Sequence, residues 1–250
     1  MPIPKVIYQT WKSKDIPPNI RKVQERMLAK NPGYEIRFFD DDDIDRFMQQ
    51  YFPESVFRAY KKIYVGAGKA DFWRYCVLYV YGGIYLDIDS EITGSLDELI
   101  QPHDQAIVTR ENNLGKFNQW FLIFEQGHPI LHDAIIQCCY NIDNRVTMNL
   151  LELTGPVLYT NSINRTMVPY LNEKLSSNKG EENYDKPIHL YFGNDDDLNR
   201  ILNNPEKNVR CRFYKIDMDT YGRFKHEYAE DLYQNGNISW GREPKIFNDS

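Results

Sequence analysis

Asp87 and Asp89 stand one residue apart after the apolar run Ile84-Tyr85-Leu86, and Asp71 and Arg74 stand three apart in the stretch before it. Two carboxylates offer hard oxygen donors, which suit a divalent cation that keeps positions open for phosphate oxygens. Such a cation acts as Lewis acid and template for a departing diphosphate. On an extended strand residues i and i+2 share a face, so both acids would reach one ligand. An acid and an arginine three apart on a helix lie side by side. Taken alone, that pair reads as an ordinary ion pair worth about a few tenths of a kcal/mol.

The elements that must position these groups are legible around them. Ala70, Trp73, Cys76, Val77 and Val80 recur at three- and four-residue spacing, which predicts a helix over 67–81 with an apolar face. Gly82-Gly83 stops it, because glycine tolerates positive φ and a close reversal. A short strand over 84–86 then delivers Asp87 and Asp89 at its C-terminal end, where open α/β sheets bind ligands. Asp-x-Asp spacing by itself is weak, since the chain has six such pairs. Three lie within Asp40-Asp41-Asp42-Asp43-Ile44-Asp45 and read as helix-capping acids. Asp195/Asp197 reads as a solvated turn or helix start. Asp217/Asp219 follows a plausible strand over 212–216 but lacks a companion helix with a paired acid and base.

The 250 residues suit one large α/β domain, here taken as 1–250. A hydrophobic share of 42% with 14% aromatics is globular. A net charge of -6 with no basic run argues against a nucleic-acid surface. Strands are expected over 3–9, 34–39, 106–108, 119–124, 187–192 and 212–216. Helices are expected over 17–30, 43–51, 53–65, 96–100, 129–139, 149–153 and 155–166, with Ser95 as a cap. The early strand, helix, strand, helix order argues for a right-handed parallel unit. The second of the central strands, 119–124, should pass through the middle of the sheet, with Asn118 or Glu125 near a sugar.

With these stretches together, the chain resembles glycosyltransferase family 32, which contains yeast-type initiating mannosyltransferases and bacterial capsule transferases. The catalytic domains of the large clostridial glucosylating toxins share its core. The family pattern is Asp-x-x-Arg on a helix followed by Gly-Gly-x-Tyr-x-Asp-x-Asp. It stands here as Asp71, Arg74, Gly82, Gly83, Tyr85, Asp87 and Asp89. Pro4 to Trp11 looks like the family's opening strand, and Gly127-His128-Pro129, Thr154-Gly155-Pro156 and Ser239-Trp240 match its landmarks in order. The resemblance implies a GT-A fold: α/β, with a Rossmann-like central mixed sheet flanked by helices in a single domain. It implies a metal-dependent retaining hexosyltransferase, with Mn²⁺ or Mg²⁺ as cofactor and a nucleoside-diphosphate sugar as donor. UDP-hexose is slightly preferred over GDP-mannose, and the acceptor is a hydroxyl of a glycan or another molecule, in the setting of polysaccharide biosynthesis.

The family's roles fall on matching positions. Trp11 would stack on the base, with Tyr8, Gln9 and Thr10 beside it in the nucleotide site. Asp71 and Arg74 would hold donor-sugar hydroxyls, Tyr85 would lie near the nucleotide, and Asp87 and Asp89 would handle ribose and metal. Ser239 and Trp240 would close over the diphosphate. His226 lies thirteen residues before Ser239, farther than in many relatives, so His226 or Ser239 would complete the metal's ligands. Two alternatives stand beside this reading. One is a catalytically inactive sugar-nucleotide or glycan-binding relative. The other is a haloacid-dehalogenase-like phosphatase, which also places Asp-x-Asp after an apolar strand. It prefers its first strand, though, and a small β-branched residue where Glu91 stands.

The N-terminal residues contain no apolar run of a signal peptide's length, and the block from Cys76 to Tyr81 falls far short of the roughly 20 residues a bilayer requires. Cys76, Cys138, Cys139 and Cys211 show no metal spacing and read as thiols, with Cys138-Cys139 on a helix. A cytoplasmic protein with no transmembrane segment is the expectation. The acceptor should be chosen by loops such as 112–118, 176–186 and 228–238.

Overall fold

The computed structural model describes residues 2–109, 116–167, 203–204, 209–213, 221–233 and 245–248. Among them, seven strands form one mixed sheet in the order β2-β1-β3-β5-β4-β7-β6. The strands are β1 (Val6–Thr10), β2 (Glu35–Phe39), β3 (Gly83–Leu86), β4 (Ala106–Val108), β5 (Phe121–Phe124), β6 (Asn203–Asn204) and β7 (Val209–Phe213). The helices are α1 (Pro18–Lys30), α2 (Asp41–Tyr51), α3 (Glu54–Lys62), α4 (Gly66–Tyr81), α5 (Leu96–Leu99), α6 (Pro129–Asp143), α7 (Leu150–Leu153) and α8 (Pro156–Met167). The expected strand over 187–192 and the Asp195/Asp197 and Asp217/Asp219 pairs lie outside the described residues.

Strand β1 runs parallel to both β2 and β3, pairing Tyr8 with Tyr85. Consequently Thr10-Trp11 and Asp87 emerge side by side at the same edge of the sheet. Strand β5 is antiparallel to β3, setting Ile84 opposite Ile123, and occupies the middle of the order as expected. Side chains alternate between two layers, as a pleated strand requires. Ile7, Ile84, Ile107 and Ile123 face one layer with Val23 and Met27 of α1. Tyr8, Tyr85, Leu122 and Phe124 face the other, which holds Phe72, Trp73 and Cys76 of α4 and Ile130 and Cys138 of α6.

Helix α4 departs from the expected single apolar face. Its middle, Asp71 through Leu78, is buried all round. The sheet covers one side and α6 another, so even its charged pair is withdrawn from water. Gly82 ends the helix at φ 67 and Gly83 follows at φ 106. A Cβ at Gly82 would come within 2.6 Å of the Gln126 amide nitrogen, and one at Gly83 within 2.8 Å of the Val6 carbonyl. Both positions therefore need glycine twice over, for backbone sign and for space. The acidic run caps α2: Asp40 Oδ1 accepts from the Asp43 amide and Asp43 Oδ2 from the Asp40 amide. Among the described residues no helix is long and apolar enough to cross a membrane.

Candidate active site

Asp87-Ile88-Asp89 does not continue the strand. The Ser90 amide donates to the Asp87 carbonyl across 3.0 Å, so the pair sits on a turn just past β3. The expectation that an extended backbone sends both carboxylates the same way is corrected. Asp87 turns toward α4, and Asp89 turns toward the segment after residue 221.

On the α4 side, Arg74 Nη2 lies 2.9 Å from Asp71 Oδ1 and 3.1 Å from Asp87 Oδ1. Its Nη1 donates to the Gln119 carbonyl at 2.9 Å, and its guanidinium lies 4.4 Å from the centroid of the Tyr85 ring. The Tyr85 hydroxyl donates to Asp87 Oδ1 at 2.6 Å. Thr154 Oγ1 donates to Asp71 Oδ2 at 3.2 Å. Behind it, the Gln119 amide donates to the Tyr75 hydroxyl and, at 3.0 Å, to the Thr154 carbonyl. Motif residues from α4 and β3 are thus gathered with Gln119 and Thr154 into one buried network. A buried pair whose arginine also donates to a backbone carbonyl and whose carboxylate also accepts from a hydroxyl is a built feature, unlike a solvated i,i+3 pair.

Electrostatics follow the burial. Desolvation pushes the Asp87 carboxyl up to about 7, opposed by Arg74 and reinforced by the charge of Asp89. Burial also raises Asp71, while Arg74 and the Thr154 hydroxyl pull it back. For Arg74, burial works against the charged form, but Asp87, Tyr85 and Asp71 more than offset it, so the guanidinium stays charged. Two acids with a single cation between them leave this pocket ready for further positive charge.

On the other side, Asp89 Oδ1 accepts from Ser90 Oγ at 3.2 Å and Oδ2 from the Tyr233 hydroxyl at 3.1 Å. The His226 amide donates to the Asp89 carbonyl at 2.8 Å, so the late segment is docked on the turn. Glu91, 2% exposed, fastens it further. Its backbone exchanges two hydrogen bonds with Arg223, and its carboxylate binds Arg26 Nε at 2.6 Å and the Arg223 guanidinium.

The other expected site residues divide. Trp11 reaches the pocket edge, packed with Ile16, Ile20, Ile88 and Leu232. Gln9 is buried, its Oε1 accepting from Gln24, while its Nε2 has no partner among the described residues. Thr10 Oγ1 is spent on the Phe39 carbonyl at 2.8 Å. Tyr8 is 1% exposed, its ring stacked on Tyr81, so the structure places that ring in the core and away from the pocket. Tyr85 likewise contributes its hydroxyl from a buried position. His226 comes to the Asp-x-Asp turn despite its distance in sequence. Its Nδ1 accepts from the Tyr228 amide, so Nε2 carries the proton toward the Ile88 carbonyl at 3.2 Å. In this arrangement neither ring nitrogen is turned to a cation. Ser239 and Trp240 lie outside the described residues.

Sequence reasoning missed Gln119, Glu91 and Tyr233 as parts of the site, and it had Thr154 only as a landmark. Asp87 and Asp89 do fit a divalent cation by donor chemistry: both are hard carboxylates, and Asp87 Oδ2 has no hydrogen-bond partner among the described residues. No group of three His, Cys, Asp or Glu gathers there among the described residues.

The stretch that carries these residues is shared with known proteins. Residues 17–106, which hold α4 and the Asp-x-Asp turn, match the model of the glycosyltransferase sugar-binding region containing a DXD motif. The chain is 27% identical over 217 residues to the initiation-specific alpha-1,6-mannosyltransferase of Candida albicans, covering 70% of this chain and 55% of that one. It is 36% identical over 133 residues to inositol phosphoceramide mannosyltransferase 3 of Schizosaccharomyces pombe, covering 53% of this chain and 36% of that one. The chain therefore spans about half the length, or less, of these curated relatives. Among solved structures, the PaToxG glycosyltransferase superposes with a TM-score of 0.58 at 22% identity, over 82% of this chain and 80% of that one. The mixed sheet with flanking helices is of the GT-A type. The DXD-glycosyltransferase resemblance read from the motif is shared by the family model over residues 17–106 and by the sequence relatives.

Proposed function

On the premise that residues 17–106 form the DXD sugar-binding region of a family-32-like glycosyltransferase, we propose that this chain is a metal-dependent, retaining hexosyltransferase. It takes a hexose from a nucleoside-diphosphate sugar and passes it to an acceptor hydroxyl. The observation that carries the reading is Arg74 lying between Asp71 and Asp87, which joins the helix motif to the strand motif in one pocket. We read residues 1–250 as one domain. A cytoplasmic setting belongs to the same reading, supported by the free thiols of Cys76, Cys138 and Cys139.

Asp89, with Asp87 directly or through water, would hold Mn²⁺ or Mg²⁺, which when bound supplies Lewis-acid stabilisation of the leaving diphosphate. Trp11 would stack on the base, and Ser239 and Trp240 would cover the diphosphate. Asp71 and Arg74 would bind the sugar's hydroxyls and fix the ring while positive character builds at the anomeric carbon. A double displacement needs a carboxylate beneath the sugar. Both Asp71 oxygens already accept hydrogen bonds or ion-pair contacts from Arg74 and Thr154, which disfavours it as that nucleophile. The working route is therefore front-face. The bond from acceptor oxygen to anomeric carbon forms as the bond to the phosphate oxygen breaks, and the acceptor proton passes to that phosphate.

The relatives are named mannosyltransferases, so a mannose donor is the first to try, with UDP-hexoses beside it. The test is a panel of nucleotide sugars scored by thermal shift and by donor hydrolysis, with and without Mn²⁺. The expected result is one donor that raises the melting temperature and is hydrolysed only with metal. Binding without hydrolysis or transfer would mark an inactive binding relative. Release of phosphate from simple esters would mark a phosphatase.

A further inference from the structure

The 3₁₀ turn Ala229–Tyr233 stands in the stretch expected to form an acceptor loop, yet it is built into the donor side. Leu232 is fully buried among Ile16, Ile20 and Ile88. Asn19 Nδ2 of α1 donates to Asp231 Oδ2 at 3.0 Å. Upstream, the backbone exchange between Arg223 and Glu91 and the His226 amide on the Asp89 carbonyl pin the same segment to the Asp-x-Asp turn. So anchored, Tyr233 meets two residues of the proposed donor site at once. Its hydroxyl donates to Asp89 Oδ2 at 3.1 Å. Its ring stands nearly perpendicular to that of Trp11, centroids 6.1 Å apart at 80°. The ring is half-buried, with Lys225 Nζ 5.9 Å from its centroid.

From this juxtaposition we infer that Tyr233 is a donor-binding residue whose ring walls the nucleoside slot beside Trp11 and whose hydroxyl orients Asp89 for the cation. The inference rests on the transferase reading and deepens it. An aromatic wall at right angles to Trp11 confines a stacked base to one side of the indole. The phenol takes one lone pair of Asp89 Oδ2 and leaves the carboxylate further lone pairs for a metal. One side chain thereby ties base recognition to metal placement, and its two ends are separable by mutation.

The test measures binding, by titration calorimetry and tryptophan fluorescence, with uridine, guanosine, UDP and GDP as probes and Mn²⁺ as the metal. Tyr233→Phe should raise the Mn²⁺ concentration for half-maximal nucleoside-diphosphate binding about fivefold or more. It should leave the affinity for the free nucleoside within about twofold. Tyr233→Leu, with Tyr233→Met as a second variant closer in volume, should weaken free-nucleoside binding about fivefold or more. Neither the Leu232 nor the Asp231 anchor is altered, and melting curves check the fold of each variant. If the wild type binds UDP or GDP and both the Phe and the Leu or Met variants match it, the Tyr233 assignment is overturned while the transferase reading stands. If the wild type binds neither diphosphate with Mn²⁺, both fall.

Discussion

Thr154 Oγ1 lies 3.2 Å from Asp71 Oδ2, so a residue 83 positions along the chain holds the carboxylate that α4 presents. Valine at 154 would keep the volume and remove the donor. A hydrogen bond to a buried charged group is worth about 1.5–3 kcal/mol. Thr154→Val is expected to lower the transfer rate about tenfold or more, since about 1.4 kcal/mol corresponds to tenfold. Thr154→Ser should restore most of it. Steady-state kinetics on the three proteins decide the point, and equal rates for Val and Ser variants would rule out this role.

Arg74 makes the sharper stability prediction. Removing one partner of a buried ion pair leaves an uncompensated charge, at about 3–5 kcal/mol. Arg74→Met strands both Asp71 and Asp87, so urea unfolding should report a loss in that range. Arg74→Lys should recover only part of it, because an ammonium lacks the planar fork that reaches Asp71, Asp87 and the Gln119 carbonyl together.

Asp71→Ala separates chemistry from folding. Arg74 keeps Asp87 as partner, so the variant should still fold cooperatively, with a melting transition lowered by the loss of the Arg74 and Thr154 contacts. Donor hydrolysis and transfer should disappear. A folded Asp71→Ala protein with parental turnover would sink the assignment of Asp71 to the sugar site.

His128 gives the pH prediction. It caps α6, its Nδ1 accepting from the Ile130 amide, and burial lowers its pKa from 6.5 to about 3. Between those values the unfolded chain binds the proton and the folded chain does not. Stability is therefore complete above pH 6.5 and falls as pH drops toward 3, by at most about 1.4 kcal/mol per pH unit. Asparagine can accept the same capping bond without titrating. Urea midpoints of His128→Asn from pH 4 to 7 should show a flatter acid limb than the parent; parallel limbs would count against His128 as the titrating group.

The acidic run before α2 predicts a purely structural effect. Asp40→Ala removes the capping box with Asp43, at about 1 kcal/mol. Thermal melting should show the loss, and nucleotide binding should be unchanged.

What the chain revealed unaided was local. The helix over 67–81, its stop at Gly82-Gly83, the capping role of the acidic run before α2, the cap at Ser95 and the strand that ends just before Asp87 all follow from spacings within a few residues, where hydrogen-bond geometry and side-chain periodicity operate. The motif itself was legible because its residues lie on two adjoining elements. Their partners were not. Thr154 and Gln119 reach Asp71 and Arg74 across 83 and 45 residues, Arg26 reaches Glu91 across 65, and Tyr233 reaches Asp89 across 144. No short-range pattern encodes such contacts. They arise when α4 is enclosed between the sheet and α6, where desolvation favours a mate for Asp71, Arg74 and the hydroxyls packed beside them. Only that enclosure made Arg74 a bridge rather than a surface ion, and turned Tyr8 into core while leaving Trp11 at the pocket edge.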